Sequence, residues 1–175
     1  MTKESGLVPS DAIRLAALGS LALDPKSYAR LAEEISQFSS RIVGPSLDLM
    51  APSLELLGVE GLVERHRPDD AELHITAAGR AELRRLLAAP LRGPLGELNK
   101  LFITLKMRFL HLIDRAEQRA QAELIIRACE QERDSIAELR RQFGGEAGRL
   151  TDWLEFDLAE VEARLAWFRR LHDRL

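Results

Sequence analysis

His66 and His74 come nearest to a metal-ligating pair in this chain, because a turn between them would bring two imidazoles face to face across a hairpin. No third ligand is read near them, and a protein-held metal needs three or four ligands, so no metal is assigned. His111 and His172 stand isolated. Cys129, the single cysteine, falls on an apolar helical stripe, where a thiol is buried and inert rather than nucleophilic. No glycine-rich phosphate loop follows a strand, GxSxG and HExxH are absent, and no serine has a histidine close by. The expectation is a chain that is not an enzyme and takes no cofactor.

Phosphate contact is the chemistry these residues suit better. Lys26, Arg30 and Arg41 flank a predicted helix-turn-helix, and Arg65, His66 and Arg67 open a predicted hairpin. Such cations clamp a nucleic-acid backbone, with ordinary solvated surface as the alternative. Ser46, Asp48 and Ser53 lie where short polar side chains of a third helix reach base edges, although capping accounts for Ser46 or Asp48 equally well.

The elements that position these residues follow from periodicity and punctuation. Residues 1–10 read as a loose arm. Ser10 caps a helix carrying Ile13, Ala16, Ala17, Leu18 and Leu21, which stops near Asp24-Pro25. A short second helix after Lys26-Ser27 presents Tyr28, Leu31, Ala32 and Ile35 on one face, and Gln37 to Pro45 reads as a turn or loop. The third helix carries Leu47, Met50, Leu54 and Leu57. Pro52 lacks the amide a helix needs beyond its first turn, so this helix starts near Asp48 or Leu49 or is distorted there, and Gly58 or Gly61 ends it. LVERHR and ELHIT form a hairpin turned at Pro68-Asp69-Asp70-Ala71, followed by a helix from Ala77 to Ala89 with Leu83, Leu86 and Leu87 inward.

Pro90 to Gly96, with two prolines and two glycines, marks a domain boundary. Beyond it Leu98, Leu101, Phe102, Leu105, Phe109, Leu112 and Ile113 form a helical stripe. A second stripe runs from Ala116 to Phe143, interrupted at Glu132, and Gly144 to Gly148 breaks it. Along the same helix the repulsive i,i+4 pairs Glu130–Asp134 and Asp134–Glu138 are relieved by Arg133 and Arg140, so the charge alternation is a solvated face. Thr151 caps a last helix with Leu154, Leu158, Val161, Leu165 and Phe168 on one side. Neither long helix buries its stripe alone, so the two pack together, against a second chain, or both, and this last set is assigned to a dimer interface. The fold class is mainly α with a small β-hairpin: an N-terminal winged helix-turn-helix over 11–89, then a helical, coiled-coil-like dimerisation domain over 97–175.

Composition agrees. The chain has 175 residues, is 46% hydrophobic and 30% charged, and so supports a real core and is neither disordered nor fibrous. One cysteine precludes an intrachain disulfide, and no apolar run approaches the roughly 18 residues of a membrane span. The N-terminus lacks the apolar segment of a signal peptide. A cytoplasmic protein without membrane partners is expected. The net charge of −3 excludes a basic nucleic-acid coat.

The residues also carry a family resemblance. APSLELLGVEGLV (Ala51 to Val63) follows the pattern YPxLxxLexxGLv, and HITAAGRAEL (His74 to Leu83) follows yxlTxaGrxxL. With ALGSLAL, Tyr28, LFITLKMRFLHLI and the tryptophan-bearing EARLAWFRRL, nearly the whole chain resembles the PadR family of bacterial transcriptional regulators. That resemblance implies a homodimer, more often a repressor than an activator. It places the third helix in the major groove of double-stranded DNA and the wing along the backbone, with half-sites about 34–36 Å apart. It also implies a small aromatic effector. Trp153 and Trp167, fourteen residues apart and so on one helical face, would line its pocket with Phe102, Met107 and Phe109, unless these residues pack in a dimer core.

The departures from the pattern cluster in the DNA-reading half. Ala51 replaces the tyrosine before the proline, and no Lys or Arg lies between Arg41 and Arg65, where Asp48, Glu55, Glu60 and Glu64 fall. Residues 1–90 hold 10 basic and 13 acidic side chains, whereas residues 91–175 hold 15 of each. An acidic third helix opposite phosphates is costly. The alternative function is therefore a winged-helix dimer that has lost DNA binding and acts through a protein partner or small effector.

Overall fold

The computed structural model describes residues 7–43, 50–67, 70–91, 96–145 and 148–175. The chain forms two compact units, the first of Met1–Ala89 with Gly96–Ile113, the second of Pro90–Leu95 with Asp114–Leu175.

In the first unit, α1 (Pro9–Leu23) is buried almost all round, from Ala12 through Leu21 with the exception of Arg14. Its small residues let neighbours close in: a Cβ on Gly19 would stand 2.5 Å from the Phe109 ring. The helix begins one residue before the expected Ser10 cap. Pro9 occupies its first position, where no amide is needed, and the Asp11 carboxylate accepts from Val8 N at 2.8 Å. β1 (Lys26–Ser27) precedes α2 (Tyr28–Val43), which is longer than expected. Helix continues through the predicted loop because Ser39 and Ser40 donate back to the carbonyls of Ile35 and Gln37, which satisfies hydroxyls that otherwise compete with the backbone.

α3 (Met50–Val59) holds Pro52 in its first turn, where it costs no hydrogen bond. It ends in a Schellman motif: Leu62 N donates to Leu57 O, Gly61 N to Gly58 O, and Gly61 adopts φ +69°. β2 (Val63–Glu64) and β3 (Glu72–Ile75) form the expected hairpin, with Val63 opposite Ile75 and Glu64 opposite His74. β1 adds a third antiparallel strand on the other edge of β3, in the order β1-β3-β2, pairing Lys26 with Leu73. Two residues carry too little periodicity to announce a strand.

α4 (Ala77–Ala88) is capped by Thr76, whose oxygen accepts from Gly79 N at 3.0 Å. α5 (Glu97–Phe109) and the 3₁₀ turn Leu110–Leu112 belong to the first unit, not to the C-terminal part where the sequence placed everything from residue 97. Leu101, Phe102, Leu105 and Phe109 pack into that unit's core.

Lys106 on α5 is 1% exposed, and its Nζ donates to the carbonyls of Leu86, Leu87 and Ala89, capping the C-terminus of α4. Burial pushes its pKa down to about 7. Lys106→Met strands those carbonyls and is expected to cost about 2 kcal/mol, read by urea unfolding. An unfolded lysine holds its proton to about pH 10.4. Between pH 7 and that value the unfolded state binds more protons, so wild-type stability rises with pH there relative to Lys106→Met. The carbonyls favour the ammonium, so the slope stays below about 1.4 kcal/mol per pH unit. Parallel pH profiles for the two proteins would show that Lys106 keeps its proton.

The second unit is a helical hairpin. α6 (Arg115–Phe143) opens with a capping box, Asp114 Oδ1 accepting from Glu117 N while Glu117 Oε2 accepts from Asp114 N. It runs unbroken past Glu132. α7 (Leu150–Arg174) begins one residue before the expected Thr151 cap, because Thr151 donates to Gly144 O instead. Leu154, Val161, Leu165 and Phe168 are buried and Leu158 half-buried, within the same unit as Ala122, Ile125 and Cys129 of α6. The repulsive pairs along α6 find cations: Asp134 pairs with Arg133, Glu138 with Arg141, and Glu130 with Arg169 across the hairpin at 2.7 Å. Burial raises the Cys129 thiol pKa, so it stays protonated and unreactive.

Candidate nucleic-acid interface

A winged helix contacts DNA through α3 and the wing, so the exposed chemistry of α2, α3 and the β2–β3 hairpin defines the candidate site. Leu54 and Leu57 turn inward from α3, leaving Glu55, Leu56, Gly58 and Val59 outward, with Val59 85% exposed. Glu60, just past the helix, pairs with Arg14 at 2.7 Å, and Arg14 also reaches Glu82 of α4 at 3.2 Å. The Glu60 hydrogen bond outweighs burial and raises the pKa of Arg14. This bridge ties the end of α3 to α1 and α4 and uses up one of the acidic charges counted against DNA contact.

The expected phosphate contacts separate into two groups. Lys26 does not belong: it is 8% exposed, and its Nζ donates to Ser20 O at 3.1 Å and Asp24 O at 3.3 Å and lies 3.8 Å from Glu34. It closes the end of α1 because Asp24-Pro25 turns the chain back over that helix terminus. Burial pushes the Glu34 carboxyl up, but the Ser20 hydroxyl, Arg108 and Lys26 together hold it below its ordinary value. Arg30 and Arg41 are exposed on α2, and Arg65, His66 and Arg67 are exposed where β2 leaves the sheet. Ser46 and Asp48 lie outside the described residues, as does the side chain of Ser53.

At the wing tip the structure adds what the sequence reading missed. His66 stacks on His74, ring centroids 3.6 Å apart, and Asp70 Oδ2 lies 3.5 Å from His74 Nε2. The backbone hydrogen bond from Glu72 keeps the Asp70 pKa below its ordinary value. Asp70 is the third ligand-type residue beside the histidine pair. Its i,i+4 spacing to His74 was legible, but read only as turn composition.

The expected effector set divides between the two units. Phe102 and Phe109 are 1% and 0% exposed in the core of the first unit, and Met107 lies on the same helix. Trp153 and Trp167 belong to the second unit and are 59% and 47% exposed. Phe109 packs directly against Gly19 in that core. A cleft of about 550 Å³ does exist elsewhere in the first unit, lined by Ala22, Leu83, Leu87 and Leu112 with Arg80 and Arg84. No helix among the described residues is long and apolar enough to cross a membrane.

No curated protein matches the chain. Among solved structures it is similar to the crystal structure of Bacillus subtilis PadR, at 16% identity over 96% of this chain and 97% of that one, with a TM-score of 0.42. The family described as "Putative AphA-like transcriptional regulator" matches residues 2–172, which is nearly the whole sequence and spans both units. The chain belongs to this AphA-like family of transcriptional regulators.

Proposed function

We propose that this regulator is a homodimeric DNA-binding repressor that seats α3 in the major groove and runs its wing along the backbone. The observation that carries the reading is the exposure of Arg30 and Arg41 before α3 and of Arg65 and Arg67 after it, within a winged-helix unit. Such cations supply sequence-independent affinity while α3 supplies readout. Leu56 on the outer face of α3, 49% exposed, suits contact with a thymine methyl.

Support for the dimer comes from the second unit. Among the described residues, six of the ten exposed large hydrophobic side chains lie there: Leu139, Phe143, Leu150, Trp153, Phe156 and Trp167. Trp153 and Phe156 lie in ring contact, 5.8 Å between centroids, and adjoining exposed aromatics of this size support an interaction surface. The interface of this reading is therefore the Trp153, Phe156 and Trp167 face of α7. The Leu154, Val161, Leu165 and Phe168 face is already used within the chain. An effector, in the same reading, occupies the cleft beside Arg80 and Arg84 rather than a pocket of Phe102 and Phe109.

Binding to DNA from the region upstream of its own gene, followed by fluorescence anisotropy between about 50 and 200 mM salt, tests the proposal. Arg65→Ala and Arg67→Ala are each expected to weaken binding on all sequences alike and to reduce the salt slope by about 0.9. Lys26→Met, at a buried position, should leave the slope unchanged. No binding at about 50 mM salt would sink the DNA reading. The outward Glu55, Leu56 and Val59 of α3, an apolar face with no cation of its own, favour a second reading in which a protein partner docks there. Retention of a stable protein partner together with absent DNA binding supports it.

A further inference from the structure

His66, Asp70 and His74 are gathered at the wing tip by local constraints. Asp70 N donates to Arg67 O at 3.0 Å and closes the turn. Asp70 Oδ1 accepts from Glu72 N at 3.0 Å, which fixes the carboxylate and leaves Oδ2 toward His74. Ligand atoms of the three residues lie within 4.8 Å of one another, and no other such group occurs among the described residues. We propose that these three side chains form a site for a divalent first-row transition ion whose occupancy sets the charge that the wing presents to DNA.

Two imidazoles and one carboxylate select Zn²⁺, Co²⁺, Ni²⁺ or Cu²⁺ over the all-oxygen preferences of Mg²⁺ and Ca²⁺. His66 is exposed and the other two are half-buried, so the ion keeps an open position for water or a phosphate oxygen. The rings lie at 14° to each other, which sets their lone pairs side by side rather than at one point. Loading therefore turns the exposed His66 ring out of the stack.

The consequence follows from charge. Residues 63–75 hold Glu64, Asp69, Asp70 and Glu72 against Arg65 and Arg67, a net of −2 with neutral imidazoles. A divalent ion cancels that excess on the element meant to follow phosphates. This half of the proposal rests on the DNA-binding reading above; the site itself does not.

Titration of the full chain with Co²⁺, followed by its visible ligand-field bands, tests the site. One ion per chain is expected, held at least about tenfold less tightly by His66→Ala or His74→Ala and equally well by His111→Ala. Wild type binding Co²⁺ no more tightly than the His66→Ala/His74→Ala double variant overturns the site. DNA affinity is then compared with Zn²⁺ and with chelator. Zn²⁺ should raise it and steepen the salt slope by up to about 2 in wild type but not in the double variant. Ion binding without a change in DNA affinity overturns the charge control. Absence of DNA binding under both conditions overturns it together with the DNA reading, while the Co²⁺ titration judges the site independently.

Discussion

The double replacement Trp153→Glu/Trp167→Glu is expected to leave a folded monomer that binds operator DNA at least about a hundredfold more weakly. Both indoles stand out from α7, and fourteen residues of helix return them to one face. Phe156 lies between them, its ring 5.8 Å from that of Trp153. The core of the hairpin uses the adjacent face, where Leu154, Val161, Leu165 and Phe168 are at most 5% exposed, and the Trp167 ring meets Phe168 edge-on at 4.9 Å. Charge at 153 leaves the hairpin core untouched, while charge at 167 gives up one edge-on contact with Phe168, a cost of about 1 kcal/mol, so circular dichroism should show the helices retained. Aromatic anchors buried in an interface contribute about 2 kcal/mol or more each, so the double replacement, which removes two from each protomer, weakens dimerisation by at least about a thousandfold. A monomer then binds one half-site without the second event that an attached partner makes intramolecular. Sedimentation or light scattering across concentration reads the first effect, anisotropy the second. A double variant that dimerises like wild type would refute this face as the interface. Leu165→Glu is the contrast, because it is expected to unfold the hairpin itself.

The same face shows what sequence periodicity conveys and what it omits. The stripe of α7 was visible, and so was the shared face of the two tryptophans. Periodicity says that a stripe is buried, but not by which neighbour. α7 carries exposed aromatics beside its buried stripe, and only packing reveals that Leu154, Val161, Leu165 and Phe168 turn inward within the chain. Lys26 failed for a related reason: residue type suggests a phosphate clamp, whereas a turn at Asp24-Pro25 folds it onto carbonyls. The boundary at Pro90 to Gly96 was legible as punctuation, yet α5 beyond it returns to the first unit, since Leu101, Phe102, Leu105 and Phe109 fit its core. Asp70 was hidden by its role in a turn. The helices and the wing were recoverable because caps, glycines and apolar spacing act locally; the site was less so because it depends on which exposed charges remain unspent after packing.

Gly79→Ala is expected to destabilise the first unit by about 3 kcal/mol or more, although it exchanges a poor helix former for the best one. A Cβ at position 79 would lie 2.1 Å from Leu62 O and 2.8 Å from Ile75 Cγ1. The first of these is backbone and cannot rotate aside. Nor can Leu62 withdraw cheaply: its carbonyl accepts from Thr76 N at 3.1 Å, and the Thr76 hydroxyl donates to Gly61 O at 2.8 Å while capping α4. The two motifs GLV at 61–63 and TAAG at 76–79 are thus one joint, in which Thr76 pins the start of the wing and Gly79 makes room for it. Relief of the clash means moving the wing root, with loss of the cap and of two hydrogen bonds, each about 1 kcal/mol. For a chain of this size that lowers the melting temperature by about 6–12 °C. Gly58→Ala is the control, with nothing within 4 Å of the added methyl and a gain of about 0.5–1 kcal/mol from helix propensity. If Gly79→Ala melts with wild type, the joint yields without cost. If it melts early yet binds DNA with full affinity at low temperature, the position of the wing root matters to folding alone and not to the approach of Arg65 and Arg67 to the duplex.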